Sequence, residues 1–451
     1  MAHHPARRLL VLDDDPTGSQ CVAHVDVALD LDPAIPRGVL AEPGSTCFVL
    51  TNTRALDEAE AVALNRRVLA GVLADPAVRD GLHVVSRSDS TLRGHVVAEP
   101  TAIADELAAH GIDVDAILLA PAMLEAGRYT REDVHYAVVD GEARRVEDTD
   151  FARDATFGYT HSDLRAFLAE RSDGAIAAAD VLSIGLEDIR AGGVERVHQI
   201  LSTARDRRWV VVNATEYSDM EVVAEAVARR EAEGRTLITR CGPSFVRPLA
   251  GQRGAEVVDA AAVSIPEGRL PHGLVVVGSH VGLTTRQLRA VQERGTLVEV
   301  EIDVPSLLDE RRAAHLREVA DRVREALRED DCVVYTSRDL VRTEDPAESL
   351  AIARSVSDAV VEVVQRVRTA RPAWVVAKGG ITSHEVAANG LGIRRARVEG
   401  QFWPGQVSLF SAQEAPEEVM GMPYVVFPGN VGGEQALAEV TGRLAAAVAS
   451  R

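Results

Sequence analysis

One order of events repeats along this chain: a short apolar run, a polar cluster at its end, then an amphipathic stretch. Residues 9–12 end in Asp13-Asp14-Asp15, residues 46–50 in Thr51-Asn52-Thr53-Arg54, and residues 83–86 in Arg87-Ser88-Asp89-Ser90-Thr91; residues 117–120 stop at Pro121. Unbroken apolar runs this short read as strands buried on both faces. Helical crossovers between them, such as the one expected over 57–73, make a parallel sheet and an α/β fold. In such sheets ligands bind beyond the carboxyl ends of the strands, which is where the polar clusters lie. Further strands are expected at 209–213 and 236–239, with a helix over 219–233 between them. The stretch 125–159 breaks the pattern with charges and aromatics, and reads as a long excursion over the site.

A chain of 451 residues exceeds what one core serves, so two domains are expected. Residues 259–273 combine small residues, Pro266, Pro271, Gly268 and Gly273, and read as a linker. The alternation restarts at 274–277 and continues through strands at 297–302, 332–336 and 374–377, with helices over 285–293, 309–329 and 346–369. The expected domains are therefore 1–258 and 274–451, each a mostly parallel sheet with helical crossovers.

Three loops in the second half share one chemistry. Gly278-Ser279-His280-Val281-Gly282-Leu283-Thr284-Thr285, Lys378-Gly379-Gly380-Ile381-Thr382-Ser383 and Pro428-Gly429-Asn430-Val431-Gly432-Gly433 each follow an apolar strand and precede a helix. Glycines let backbone approach a phosphate, helix N-termini offer free N–H groups, and Ser279, Thr285 and Thr382 offer hydroxyls. Lys378 is the only lysine in a chain whose other basic residues are all arginine, and it stands in such a loop. A P-loop and Rossmann glycine spacing are both absent. A nucleotide phosphate site is the reading.

In the first half, the Asp13–Asp15 cluster reads as a general base, as a metal site, or as a solvated turn with Pro16-Thr17-Gly18. Arg87 and Arg93 suit bidentate capture of a carboxylate, and Asp89 suits sugar hydroxyls. Residues 128–135 could close over a polar ligand or meet another domain.

Net charge is −20, from 49 basic and 69 acidic residues, which disfavours nucleic acid and anionic membranes as partners. The four cysteines are far apart without a C-x-x-C pair, no run approaches a membrane span, and the apolar run near the start is too short for a signal segment. A cytoplasmic setting is expected. No paired Cys/His spacing for zinc is present.

The motifs LDDDPTGSQ (12–20), SRSDSTLRGH (86–95), GRYTREDVHY (127–136), GPSFVRPLAG (242–251), VVVGSHVGLTTRQL (275–288), AKGGITSHEVA (377–387) and VVFPGNVGGEQAL (425–437) together resemble the four-carbon acid sugar kinase family. The resemblance covers nearly the whole chain. It implies a sugar-acid-binding N-terminal domain, an ATP-binding C-terminal domain, and an active site in the cleft between them. It implies phosphorylation of acid sugars such as threonate, erythronate or their oxo forms, with ATP and Mg²⁺. Carried over, the catalytic pair falls on Asp14 and Asp15, and substrate binding on Thr17, Arg87, Asp89, Ser90, Thr91 and Arg93. ATP contacts fall on Ser279, Gly379, Gly380, Ile381, Thr382 and Gly429, with Thr285, Lys378 and Asn430 added from the loops. The chain departs from many relatives at Asp13, Pro16 and Ser19, at Arg87, where they carry lysine, and at Ile381. The expected partner is a small acid sugar, with self-association left open. Two other readings stand beside this one. Asp13-x-Asp15-x-Thr17 also resembles the opening of haloacid-dehalogenase phosphatases, with Asp13 as nucleophile and Asp15 as acid. A non-catalytic acid-sugar-binding protein is the third.

Overall fold

The computed structural model describes residues 7–15, 19, 21–254, 257–338, 346–403 and 407–450. The chain forms two compact units, Met1–Gly254 and Ala255–Arg451. Among the described residues no helix is long and apolar enough to cross a membrane.

The first unit is built on a sheet of strands β1 (Arg8–Asp13), β2 (Val25–Ala28), β3 (Thr46–Leu50), β4 (Leu82–Arg87), β5 (Val114–Ala120), β9 (Leu182–Ile184), β10 (Arg208–Val212) and β11 (Thr236–Cys241), with β6 (Arg128–Arg131), β7 (Val134–Val139) and β8 (Glu142–Arg145) forming a separate small sheet. The large sheet runs β2-β3-β1-β4-β11-β5-β10-β9, and every pairing is parallel. Helices cover it because the strands are apolar on both faces: all six residues of β1 are buried. The helix Glu58–Leu73 starts where the Asp57 side chain accepts from the Glu60 N–H at 2.8 Å. It turns Leu64, Val68, Leu69 and Val72 into the core beside Leu10 and Val49. Each such fully buried side chain contributes roughly 1.5–3 kcal/mol.

Register decides where the site falls. Asp13 lies level with Leu50 on one side and Arg87 on the other, and Arg87 is level with Cys241. Residues that follow these strands therefore emerge together.

The excursion expected over 125–159 contains a sheet of its own, β6-β7-β8, antiparallel throughout. Its two tight turns hold Glu132 (φ 55°) with Asp133 (φ 61°), and Asp140 (φ 53°) with Gly141 (φ 81°). Paired positive φ values give the turn twist that two-residue hairpins need. Tyr129 and Tyr136 stack across the first hairpin at 5.4 Å.

The second unit carries β12 (Leu274–Val277), β13 (Val298–Ile302), β14 (Cys332–Thr336), β15 (Val375–Lys378), β16 (Arg395–Trp403), β17 (Val407–Glu414) and β18 (Pro423–Phe427). The order is β13-β14-β12-β15-β18-β17-β16. The first five strands are parallel, and β17 and β16 add on antiparallel. Residues 259–273, expected as a linker, are packed onto this unit. Ile265 is buried in its core with Trp374, and Arg269 donates to the carbonyls of Pro372, Glu418 and Met420. Gly273 lies flat on the Trp374 ring, where a Cβ would come within 2.0 Å of ring carbon. The segment's apolar residues had a core to join, and its prolines did not prevent it.

Candidate active site

Four strand ends of the first unit build one charged cluster. Asp13 is fully enclosed. Its Oδ1 accepts from Nη1 of Arg87 at 2.7 Å and from the Asp15 N–H at 3.0 Å. Burial raises the Asp13 carboxyl to about 7 despite the opposing pull of Arg87.

Asp14, only 2% exposed, is different: among the described residues neither carboxylate oxygen has a hydrogen-bond partner. Three arginines stand just beyond contact, with Arg240 at 3.8 Å, Arg54 at 3.9 Å and Arg87 at 4.0 Å. Burial raises its carboxyl to about 6, with Arg54 and Arg240 opposing. A buried acceptor without a donor is costly, and a water, an ion or a ligand group is what completes such a set. Gly94 stands beside these oxygens. It sits at φ +110°, and a Cβ there would come 2.9 Å from Oδ2 of Asp14.

The arginines are held from behind. Arg240, fully buried, donates to Glu99 and to Ser86 at 2.6 Å, leaving its Nη2 turned toward Asp14. Glu99 also accepts from Thr53 and from Asn65 at 3.3 Å. Arg54 pairs with Asp15 and lies 3.4 Å from Asp89. Burial alone would raise the Asp89 carboxyl, but Arg54 and Arg93 hold it at about 2.

The residues expected at the substrate divide on this geometry. Asp14, Asp15, Arg87, Asp89 and Arg93 come together in one cluster, Arg93 through its Nε–H at 2.8 Å from Asp89. Ser90 and Thr91 are buried inside it: Ser90 accepts from Arg128 at 2.9 Å, and Thr91 donates to Asp89. Thr17 lies outside the described residues. Arg87 is 4% exposed and its guanidinium is engaged with Asp13, inside the fold.

In the second unit the three loops converge. A Cβ on Gly278 would meet Thr382 Oγ1 at 2.8 Å, one on Gly379 would meet Ser279 Cβ at 2.9 Å, and one on Gly429 would meet Ser279 Oγ at 3.3 Å. Gly379 has φ +123°, which side chains rarely adopt. Thr284 donates to the Gly429 carbonyl at 3.2 Å, and Gln287 ties down Val431 and Gly433. Ser279, Thr285, Gly380 and Thr382 are half-buried, whereas Ile381 and Asn430 are exposed. Lys378 is fully buried, donates to the carbonyls of Pro428 (2.6 Å) and Gly429 (3.3 Å), and lies 4.0 Å from the Phe427 ring. It fixes the third loop from beneath. Burial lowers its ammonium to about 7.

Four residues of these clusters were not expected from sequence: Arg54, Glu99, Arg240 and Arg338. Arg54 and Arg338 do follow strand ends, and Arg240 interrupts an apolar strand, which is the signal that could have found them. Arg338 donates to the Ser279 carbonyl at 2.8 Å and to Thr285 Oγ1 at 2.6 Å, while its Nε and Nη1 are buried without partners among the described residues. Among the described residues no group of three or more His, Cys, Asp or Glu side chains is arranged to hold a metal ion. All four cysteines are buried and unpaired.

One unit thus gathers fixed charges at its strand ends, and the other gathers glycine backbone and hydroxyls at three loops. Comparison with known proteins agrees. A sugar-binding N-terminal domain matches residues 9–249, and a nucleotide-binding C-terminal domain matches 274–437. The chain belongs to the four-carbon acid sugar kinase family. It is 29% identical over 265 residues to a D-erythronate kinase of Heliobacterium modesticaldum, covering 58% of this chain and 53% of that protein. The chain thus spans about half the length of that relative. Crystal structures share the fold: one from Salmonella typhimurium LT2 (TM-score 0.71, 19% identity, 96% of this chain and 98% of that one), and a Haemophilus influenzae protein of the DUF1537 family (TM-score 0.67, 18% identity, 97% and 100%). The phosphatase alternative fits the geometry poorly, because Asp13 is enclosed and held by Arg87 where a nucleophile must be approachable.

Proposed function

We propose that this protein transfers the γ-phosphoryl group of ATP to a hydroxyl of a small acid sugar of the four-carbon class, in the cytoplasm. The observation that carries the reading is Asp14, a buried carboxylate whose two oxygens have no hydrogen-bond partner among the described residues and which is set among three arginines. The similarity to a D-erythronate kinase supports the substrate class.

Residues 1–258 would hold the sugar acid and 274–451 the nucleotide. Asp14 orients the substrate hydroxyl and takes its proton as that oxygen attacks the γ-phosphorus. The bond from phosphorus to the β,γ-bridging oxygen breaks, and ADP leaves. Arg54 and Arg240 steady the charge around Asp14, and Arg87 fixes Asp13 behind it. The backbone N–H groups of the loops at Ser279, Gly380 and Gly429 hold phosphate oxygens, joined by Thr382, Thr285 and Arg338, while the Gly379 N–H is taken by the Phe427 carbonyl and its missing side chain leaves room. The loops offer Mg²⁺ hydroxyls at Ser279, Thr285 and Thr382, so the ion would be held mainly by the nucleotide's own oxygens and water, and it would supply neutralisation of phosphate charge. The chemistry is mainly positioning and charge neutralisation.

ADP release with Mg-ATP across threonate, erythronate, their oxo forms and longer aldonates tests this. ADP formation that depends on one four-carbon acid is the expected result. Nucleotide binding without ADP from any of them would overturn the substrate class, and ATP-independent release of phosphate from sugar phosphates would favour a phosphatase.

A further inference from the structure

An accounting of arginines around the first unit's cluster leaves one without an anion. Arg54 pairs with Asp15 and Asp89, Arg87 with Asp13, Arg240 with Glu99, and Arg93 with Asp89 and, at 3.6 Å, Asp154. Arg128 makes no ion pair among the described residues. Its Nη1 donates to Ser90 Oγ at 2.9 Å and approaches Met123 Sδ at 3.7 Å, and its guanidinium lies 5.3 Å from the Phe151 ring. Arg93 sits over the same ring at 5.7 Å. Two guanidinium groups thus lie over one phenyl ring, and of the two only Arg93 is ion-paired among the described residues.

We infer that Arg128 recognises the carboxylate of the substrate, and so sets the preference for acid sugars over neutral polyols. The inference rests on the sugar-acid reading of this unit. Arg128 is aimed by groups that do not move easily. It opens β6, Ser90 is buried beneath it, and the Ser90 carbonyl accepts from His135 Nε2 at 2.8 Å. His135 is itself enclosed and meets Thr130 at 2.9 Å through Nδ1. A guanidinium carries five N–H donors in a fixed fork, and here the serine and the methionine share one nitrogen. The residue is partly exposed. Burial weakens its hold on its proton, the like charge of Arg93 adds to that, and Asp89 only partly offsets both. A bound carboxylate would relieve the excess positive charge at Arg93 and Arg128 together. Arg87, the other arginine of the SRSDSTLRGH stretch expected in this role, is engaged with Asp13 deeper in the fold.

The test uses the full chain and two readouts: calorimetric binding of erythronate, threonate and the neutral tetritols erythritol and threitol, and ADP release with the same compounds. Arg128→Ala is expected to weaken binding of the preferred acid, and raise its KM, by about 10- to 100-fold, the scale of a charge-assisted hydrogen-bonded pair. Tetritol binding and the KM for ATP should stay within about twofold, since no charge pairing is lost there. Arg128→Lys, which keeps charge without the fork, should recover part of the loss and guards against misfolding of the alanine variant. An unchanged acid-to-tetritol ratio in both variants, or a wild-type protein that binds no acid more tightly than its tetritol, would overturn the inference. Acid binding that depends on Arg128 but yields no ADP in the wild type would support the inference while sinking the kinase reading.

Discussion

The carboxyl edges of the two sheets solve different problems with different materials. In the first unit the edge is crowded with fixed charge: Asp13, Asp14, Arg87, Glu99 and Arg240 are each at most 4% exposed. In the second unit the edge is mostly backbone, with Gly278, Gly379 and Gly429 pressed against Ser279 and Thr382. Its cations are few, and Lys378 is spent on carbonyls. A hydroxyl on a small acid can be told from its neighbours only by charges and hydrogen bonds at set positions. The phosphates of a nucleotide can be held by any fan of N–H groups. Buried charge is costly unless each group is partnered, and Glu99, Thr53 and Asn65 stand behind Arg240 and hold the guanidinium that faces Asp14. Backbone needs no such support, only room.

The comparison breaks most sharply at Asp14. Asp14→Asn should lower kcat by about 10²- to 10⁴-fold, the usual worth of a positioned base, and leave nucleotide affinity within about twofold. ADP release and nucleotide titration measure the two separately; equal loss of both would mean the edges are not separate devices. The same residue sets a pH dependence. With its carboxyl raised to about 6, Asp14 is protonated below that pH, so kcat/KM should fall on the acid side with an apparent midpoint near 6. For stability the sign is opposite. The folded state binds this proton more tightly than the unfolded chain, whose ordinary value is 3.8. The stabilisation is therefore present below that value and lost as pH rises through about 6.

The next effect is on the backbone side. Gly379→Ala places a Cβ 2.9 Å from Ser279 at φ +123°. Strain of roughly 1–3 kcal/mol there should weaken nucleotide binding by about 10- to 100-fold without changing the affinity for acid sugars. Arg338→Ala removes the unpartnered guanidinium edge beside Ser279 and should cost less, about 3- to 10-fold, with the loss shrinking as salt is added. A larger loss from Arg338→Ala than from Gly379→Ala would reverse the contrast, making the second edge a charge-driven site too.

Much of this was legible in the sequence, and the parts that were not share a cause. Strands such as Thr46–Leu50, Leu274–Val277 and Cys332–Thr336 declare themselves because both faces are buried and the apolar run is unbroken. β8, Glu142–Arg145, is exposed along its whole length and offers no such run, although Asp140-Gly141 before it is a strong hairpin signal. β16 alternates buried and half-buried residues at the antiparallel side of its sheet and was missed likewise. In the site, Asp14 stood out because carboxylates at a strand end are conspicuous. Arg54 and Arg240 did not, because their roles come from register: only when β3, β1, β4 and β11 are laid side by side do these residues meet Asp14 and Glu99. Register is also what turned Arg87 inward, to Asp13.

The smallest expected effect concerns the one lysine. Lys378 lies beneath the third loop, and burial lowers its ammonium to about 7, so it carries charge below that pH and loses it above. Bound phosphate favours the charged form, and affinity for ADP should therefore fall by a few-fold between pH 6 and pH 8. Lys378→Arg stays charged throughout. The nucleotide's own ionisation is common to both proteins and cancels in the difference between their pH profiles. A wild-type profile that falls away from the arginine variant above about pH 7 would give the second edge one titrating charge of its own. Parallel profiles would mean that Lys378 acts on the nucleotide only through the carbonyls of Pro428 and Gly429, as a clasp for the loop, and that the edge binds phosphate by backbone and Arg338 alone.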